Sequence, residues 1–381
     1  MQIIANSESR FLDPDRNPIL RSLIKPTVYD QFCAGRDAVE IRNCAAAVKG
    51  IGVSGVILSW AKEMELTEDR KKLARLAKTS DTEAEIREWK EGVLETLRMT
   101  NPEDQIAIKV TGAGSEVMHS LTNDEEFPTA FHDALNEICE QAKAQNTRLL
   151  VDAEQQVVQT AIDKMTIELM RKWNRGSKPV VYNTVQAYLK NSRTKITHQM
   201  QLAAAEGWGI GFKLVRGAYM GSDERSLIHD TKEETDRCYD SIVRDLLTGE
   251  IEGIAPDSLP RYEVLLSGHN SDSIKKACAL AAELSDQHKL KVCPEFAQLH
   301  GMADDVGCDI VQAGKEANAS GSAFVPRCYK YLVWGSIKEC MQYLVRRGIE
   351  NRSAAEKLKV GHLRYAKELR RRFWAGMGFG R

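Results

Sequence analysis

The chain has 381 residues, 43% hydrophobic and 28% charged, the composition of a globular protein with a substantial core. Lys and Arg number 53 against 54 Asp and Glu, and a net charge of −1 offers no electrostatic footprint for nucleic acid. No apolar run reaches the roughly 18 residues of a membrane span, and nine scattered cysteines without a CxxC pair argue against a zinc site or disulfide framework and for reduced surroundings.

Residues 1–31 read as an N-terminal arm. Between Met1 and Arg21 the acids Glu8, Asp13 and Asp15 interrupt the arginines, which is neither the basic, acid-poor pattern of a mitochondrial presequence nor a secretory leader. Either the protein needs no cleaved address and is cytoplasmic, or this start is incomplete. Residues 32–381 read as one domain in which short apolar strands alternate with amphipathic helices. Strands are expected at 52–60, 105–112, 148–154, 179–186, 209–219, 262–270, 290–299 and 324–335, several of them continuous apolar runs suited to burial on both faces. Helices are expected at 65–98, 127–145, 154–175, 189–206, 222–248, 270–288, 300–316 and 336–350, with a closing helix at 352–374. This repeating βα series points to a closed (β/α)8 barrel. An open doubly wound sheet should carry a GxGxxG turn after its first strand, where this chain reads GVILSWAKE.

Chemistry in such barrels sits at the C-terminal strand ends. Lys109 lies within the otherwise apolar second strand, pointing into the barrel mouth or snorkelling to a surface. Asp152 and Glu154 follow the third, as site carboxylates or as helix caps. Gln186 ends the fourth, as a ligand-facing amide or one that satisfies buried backbone. In the fifth, FKLVRGAYM, alternation sets Lys213 opposite Arg216, and Gly217 permits close backbone approach. These cations suit an anion such as a pyrophosphate, or else form surface salt bridges. His269 and Asn270 follow the sixth strand, Glu295 lies in the seventh ahead of Gln298 and His300, and Tyr329 and Tyr331 share one face of the eighth. On the helix beyond, Tyr343, Arg346, Arg347 and Glu350 fall at i, i+3, i+4 and i+7 on one face. Paired guanidiniums suit bidentate capture of a carboxylate, and solvated helix charge is the plain alternative.

The motifs LVDAEQ, VVYNTVQAYLK, FKLVRGAY, GHN, FAQLHGM, YKYLVWG and YLVRRGIEN, with FCAG before the first strand, resemble the monofunctional proline dehydrogenases of fungi and other eukaryotes. The resemblance runs from about Phe32 to the last helix. It implies a distorted (β/α)8 barrel with additional N-terminal and C-terminal helices, holding FAD non-covalently. It also implies oxidation of L-proline to 1-pyrroline-5-carboxylate by hydride transfer to flavin N5, with electrons passed to a quinone at the mitochondrial inner membrane. Carried onto this chain, Asp152 and Lys213 would be catalytic, and Lys109, Tyr331, Tyr343, Arg346 and Arg347 would bind substrate. Ala153, Gln186, Arg216, Gly217, Ala218, Gly268, His269, Glu295 and Glu350 would line the cofactor. Bacterial members commonly carry arginine where Lys213 stands. The basic tail (Arg364, Lys367, Arg370–Arg372) offers peripheral contact with an anionic bilayer or a solvated helix face. Three other readings stay open: the same chemistry on a substituted proline or other cyclic imino acid, a Schiff-base lyase using Lys109 or Lys213, and a non-catalytic ligand-binding barrel.

Overall fold

The structure is a computed structural model and describes residues 9, 11–64 and 70–348. The chain divides into one unit of Asp30–Ser336 and another of Met1–Tyr29 with Ile337–Arg381.

The first unit is a closed barrel of eight parallel strands in sequence order. They are β1 (Gly55–Trp60), β2 (Gln105–Ile108), β3 (Arg148–Val151), β4 (Val181–Gln186), β5 (Ile210–Val215), β6 (Tyr262–Ser267), β7 (Glu295–Leu299) and β8 (Arg327–Trp334). The seam closes where β1 pairs with β8, Ile57 opposite Tyr331. Strand alternation explains why the apolar runs look continuous. In β5, Ile210, Phe212 and Leu214 join the large buried cluster shared with the surrounding helices, whereas Gly211 and Lys213 face the barrel interior. Gly211 is needed there because a Cβ would come within 2.4 Å of the Tyr182 ring.

All the strands are shorter than the sequence reading, and several end before the polar residues that follow them. β3 stops at Val151, so Asp152 and Glu154 stand in the exit loop. β7 starts only at Glu295, after Pro294, whose missing N–H cannot join the ladder. The expected helix 65–98 is interrupted at Ser80, and Asp81 caps a new helix (Thr82–Arg98) by accepting from the Ala84 N–H. A short helix, Ser115–Asn123, occupies a stretch in which no element is expected.

In the second unit, Asn17 caps the helix Pro18–Ile24 by accepting from the Ile19 and Leu20 N–H groups. Residues 337–348 are helical. The Asp15 carboxylate accepts from the Ile337 N–H (3.1 Å) and the Lys338 N–H (2.8 Å), which caps that helix from the far end of the chain. The expected closing helix at 352–374 and the basic tail lie outside the described residues.

Candidate active site

The C-terminal mouth of the barrel gathers charge that the strands point inward. Lys213, on β5, donates to Asp152 Oδ1 (2.6 Å), and the Tyr331 hydroxyl of β8 donates to Asp152 Oδ2 (2.5 Å). The Lys213 Nζ also lies 4.7 Å from the centre of the Tyr331 ring. Lys109 follows β2, with its Nζ 4.0 Å from Asp152 Oδ2 and 3.7 Å from Glu63 Oε2. It does not snorkel: it is 7% exposed. Burial alone would raise the Asp152 pKa. The Lys213 charge, then that of Lys109, with hydrogen bonds from Lys213 and Tyr331, outweigh it and hold the carboxyl below the ordinary value. Asp152 is therefore a fixed anion inside the barrel.

Neither Asp152 nor Glu154 caps the helix Gln156–Trp173. That N–H group, from Gln156, is met by Asp223 Oδ1 at 2.8 Å, reaching over from the long loop after β5. Glu154 is instead fully enclosed, accepting from the Thr111 hydroxyl and the Thr111 N–H. Burial, partly offset by Thr111 and reinforced by nearby Glu63, pushes its pKa up to about 7. Of this pair the sequence singles out Glu154, as a site carboxylate or a cap, and gives no role to Thr111. The available signal was spacing, since each stands two residues past a charged residue, Asp152 or Lys109.

Along β4 to β6 the rim is polar but largely engaged. Gln186 donates to the Glu154 carbonyl (3.3 Å) and accepts from the Ala218 N–H (3.4 Å), so its amide ties together two loops. Arg216 turns away from Lys213 and pairs with Asp236 and the Ser273 hydroxyl, so these two cations do not converge on one anion. Gly217 has φ +142°, and a Cβ there would meet the Tyr188 ring at 2.4 Å; the close approach it permits is to that ring. His269 Nε2 accepts from the Leu299 N–H (3.1 Å), and the Gly268 N–H donates to the Ala297 carbonyl (3.0 Å), both bracing β6 against β7. Asn270 caps the helix Ser271–Asp286. Ala153 is half-buried in the loop beside Asp152.

Glu295 does not join this group. It opens β7 at the opposite, N-terminal end of the barrel, where Arg148 holds it bidentately at 2.5 and 3.1 Å and the Tyr329 hydroxyl adds a third bond. Glu263 and Tyr182 complete that ion cluster. Reading the strand as 290–299 had placed Glu295 mid-strand, and its late start explains the correction.

In the second unit, Tyr343, Arg346 and Arg347 stand on the helix 337–348, and the Arg347 guanidinium lies 5.1 Å from the centre of the Tyr343 ring. Glu350 lies outside the described residues.

FAD fits the donor set of the mouth on one observation in particular. Ser267 ends β6 with a buried hydroxyl that has no partner among the described residues, one strand over from Lys213, where β5 and β6 pair Lys213 with Leu265. An orphaned inward hydroxyl beside a fixed ammonium suits a polar ring system laid across those strands.

Residues 42–360 match the family model described as Proline dehydrogenase. A Caenorhabditis elegans protein named Proline dehydrogenase 1, mitochondrial, is 34% identical over 278 residues, covering 70% of this chain and 42% of its own length. The chain thus spans less than half of that relative. A Bos taurus protein named Hydroxyproline dehydrogenase is 27% identical over 396 residues, covering 92% of this chain and 82% of its own. Among solved structures, proline utilization A from Bdellovibrio bacteriovorus, inactivated by N-propargylglycine, matches with a TM-score of 0.63 at 19% identity, covering 84% of this chain and 32% of that one. At that identity the likeness is one of fold.

Proposed function

The chain belongs to the proline dehydrogenase family, and from that premise we propose that it oxidises L-proline to 1-pyrroline-5-carboxylate with FAD as its cofactor. The reaction removes a hydride from C5 and a proton from the ring nitrogen, leaving a C5–N double bond. FAD, when bound, supplies the two-electron acceptor for that hydride, and a quinone is the onward acceptor. The observation that carries the reading is the interior cluster Lys109–Asp152–Lys213–Tyr331 at the C-terminal mouth of a closed barrel.

Each side chain then has a physical task. The family resemblance assigns the substrate carboxylate to Arg346 and Arg347, through charge-assisted bonds worth about 1.5–3 kcal/mol each, and an attraction for the same group to Lys109. Two such bonds total about 3–6 kcal/mol, which brackets the roughly 4 kcal/mol of millimolar affinity and suits a small, abundant amino acid. Asp152, kept ionised by its partners, faces the substrate ammonium. Lys213 sets positive charge where reduction deposits negative charge, and Tyr331 and Tyr343 exclude water. Ser267, Gln186, Arg216, Gly217, Ala218, Gly268, His269 and Ala153 would hold the cofactor. A mitochondrial location follows the name of the worm relative.

A second reading, the same chemistry on a ring-substituted proline, is supported by the name of the cattle relative. The test of both is an anaerobic absorbance titration of the purified protein. Bleaching of a flavin band near ~450 nm by L-proline is expected, because reduction removes that chromophore. Bleaching by 4-hydroxyproline alone would favour the second reading. A protein that stays colourless after reconstitution with FAD would refute both.

A further inference from the structure

Behind the charged row Glu63–Lys109–Asp152 runs a second row, displaced one or two residues along each strand exit. Met64 follows Glu63, Thr111 lies two residues past Lys109, and Glu154 two past Asp152. The Met64 N–H donates to Thr111 Oγ (3.2 Å). The Thr111 hydroxyl donates to Glu154 Oε2 (2.5 Å), and the Thr111 N–H donates to Oε1 (3.2 Å). One hydroxyl and one carboxyl therefore join the loops that leave β1, β2 and β3. Glu154 is held at its backbone too: its N–H donates to Gln159 Oε1 (2.8 Å) and its carbonyl accepts from Gln186 Nε2 (3.3 Å).

We propose that Glu154 is a positioning residue: through Thr111 and Met64 it keeps Glu63, Lys109 and Asp152 in register, and its own charge state sets how strongly Lys109 attracts an anionic group of the substrate. This rests on the proposed function, in which Lys109 faces the substrate carboxylate. The groups that act on the Glu154 carboxyl are Glu63 from the loop after β1 and Lys109 with Thr111 from the exit of β2; the neutral amides Gln186 and Gln159 come from β4 and the helix Gln156–Trp173. Burial pushes the Glu154 pKa up to about 7, so the carboxyl gains its charge across neutral pH. While it is neutral, Lys109 and Lys213 balance Glu63 and Asp152. Once it ionises, an extra negative charge beside Lys109 opposes an incoming carboxylate.

The experiment is calorimetric titration of the FAD-loaded protein with cyclopentanecarboxylate, a proline-sized carboxylate with no titratable amine. In the wild type the Kd is expected to rise about three- to tenfold between about pH 6 and about pH 8. In Glu154→Gln, which keeps the shape but cannot ionise, the curve is expected to be flat. Thr111→Val, which cuts the link, should weaken binding about fivefold even at about pH 6, on the scale of one lost hydrogen bond. Parallel pH curves in the wild type and Glu154→Gln would overturn the charge role, and unchanged binding in Thr111→Val would overturn the positioning role. Absence of binding by the wild type at every pH would instead overturn the assignment of Lys109 and the proposed function beneath it.

Discussion

The two oxygens of Asp152 answer to different strands, Oδ1 to Lys213 of β5 and Oδ2 to Tyr331 of β8. A carboxylate fixed from two sides cannot rotate to follow a ligand, so the ligand must fit the carboxylate. Glu295 is held as firmly by Arg148, yet at the end of the barrel where residues serve stability. Glu295→Ala is therefore expected to cost about 1.5–3 kcal/mol of stability by removing the bidentate partner of Arg148 and leaving it Glu263 at 3.4 Å as carboxylate partner, read as a fall in the denaturant midpoint, while the FAD content of the folded fraction stays unchanged. A loss of FAD at unaltered stability would return Glu295 to the cofactor side. The contrast between these two acids shows what was legible. LVDAEQ placed Asp152 correctly because an apolar run ends visibly before it. In KVCPEFAQL no such break marks the strand's start, and only the missing N–H of Pro294 could have moved the boundary. The partners of Arg216 and His269 were not legible, because Asp236 and Leu299 come close only through the fold.

At the scale of elements, strand identity was readable and strand length was not. Every strand is shorter than expected and several are followed by polar residues, so side chains such as Asp152 and Glu154 sit where hydrophobic periodicity has already stopped. The helix 337–348 is different, since its i, i+3, i+4 spacing placed Tyr343, Arg346 and Arg347 on one face from sequence alone. If that face holds the substrate carboxylate, Arg347→Met should raise the KM for proline about ten- to a hundredfold, the equivalent of one charge-assisted bond, with FAD content preserved. Loss of flavin with an unchanged KM would contradict this. The helix Ser115–Asn123 escaped the sequence reading because it is short and follows Gly114, whose φ of +119° breaks the chain direction ahead of it.

At the scale of the whole molecule, a net charge of −1 leaves little long-range repulsion, so the pH dependence of stability falls to individual buried groups. Among the described residues, Glu154 is the buried carboxyl pushed up to about 7. Its folded pKa, about 7, lies above the ordinary glutamate value, so between those two pH values the folded state holds more protons than the unfolded. Stability must then fall as pH rises through that window, by roughly 3 kcal/mol for a fully buried group. Urea titrations at about pH 5 and about pH 8 should show Glu154→Gln gaining on the wild type at the higher pH; an equal difference at both would show that the carboxyl does not titrate there.

The cap that Asp15 places on residues 337 and 338 spans 322 and 323 residues of sequence. Closing so long a loop is entropically slow, though only logarithmically more costly than a short one. Synthesis runs from the N-terminus, so Asp15 meets these partners only after all eight barrel strands between them have been made. The helix bearing Arg346 and Arg347 is thus capped by a residue that precedes the whole barrel in sequence. Capping of the segment that carries Arg346 and Arg347 therefore depends on a side chain encoded 322 residues ahead of it.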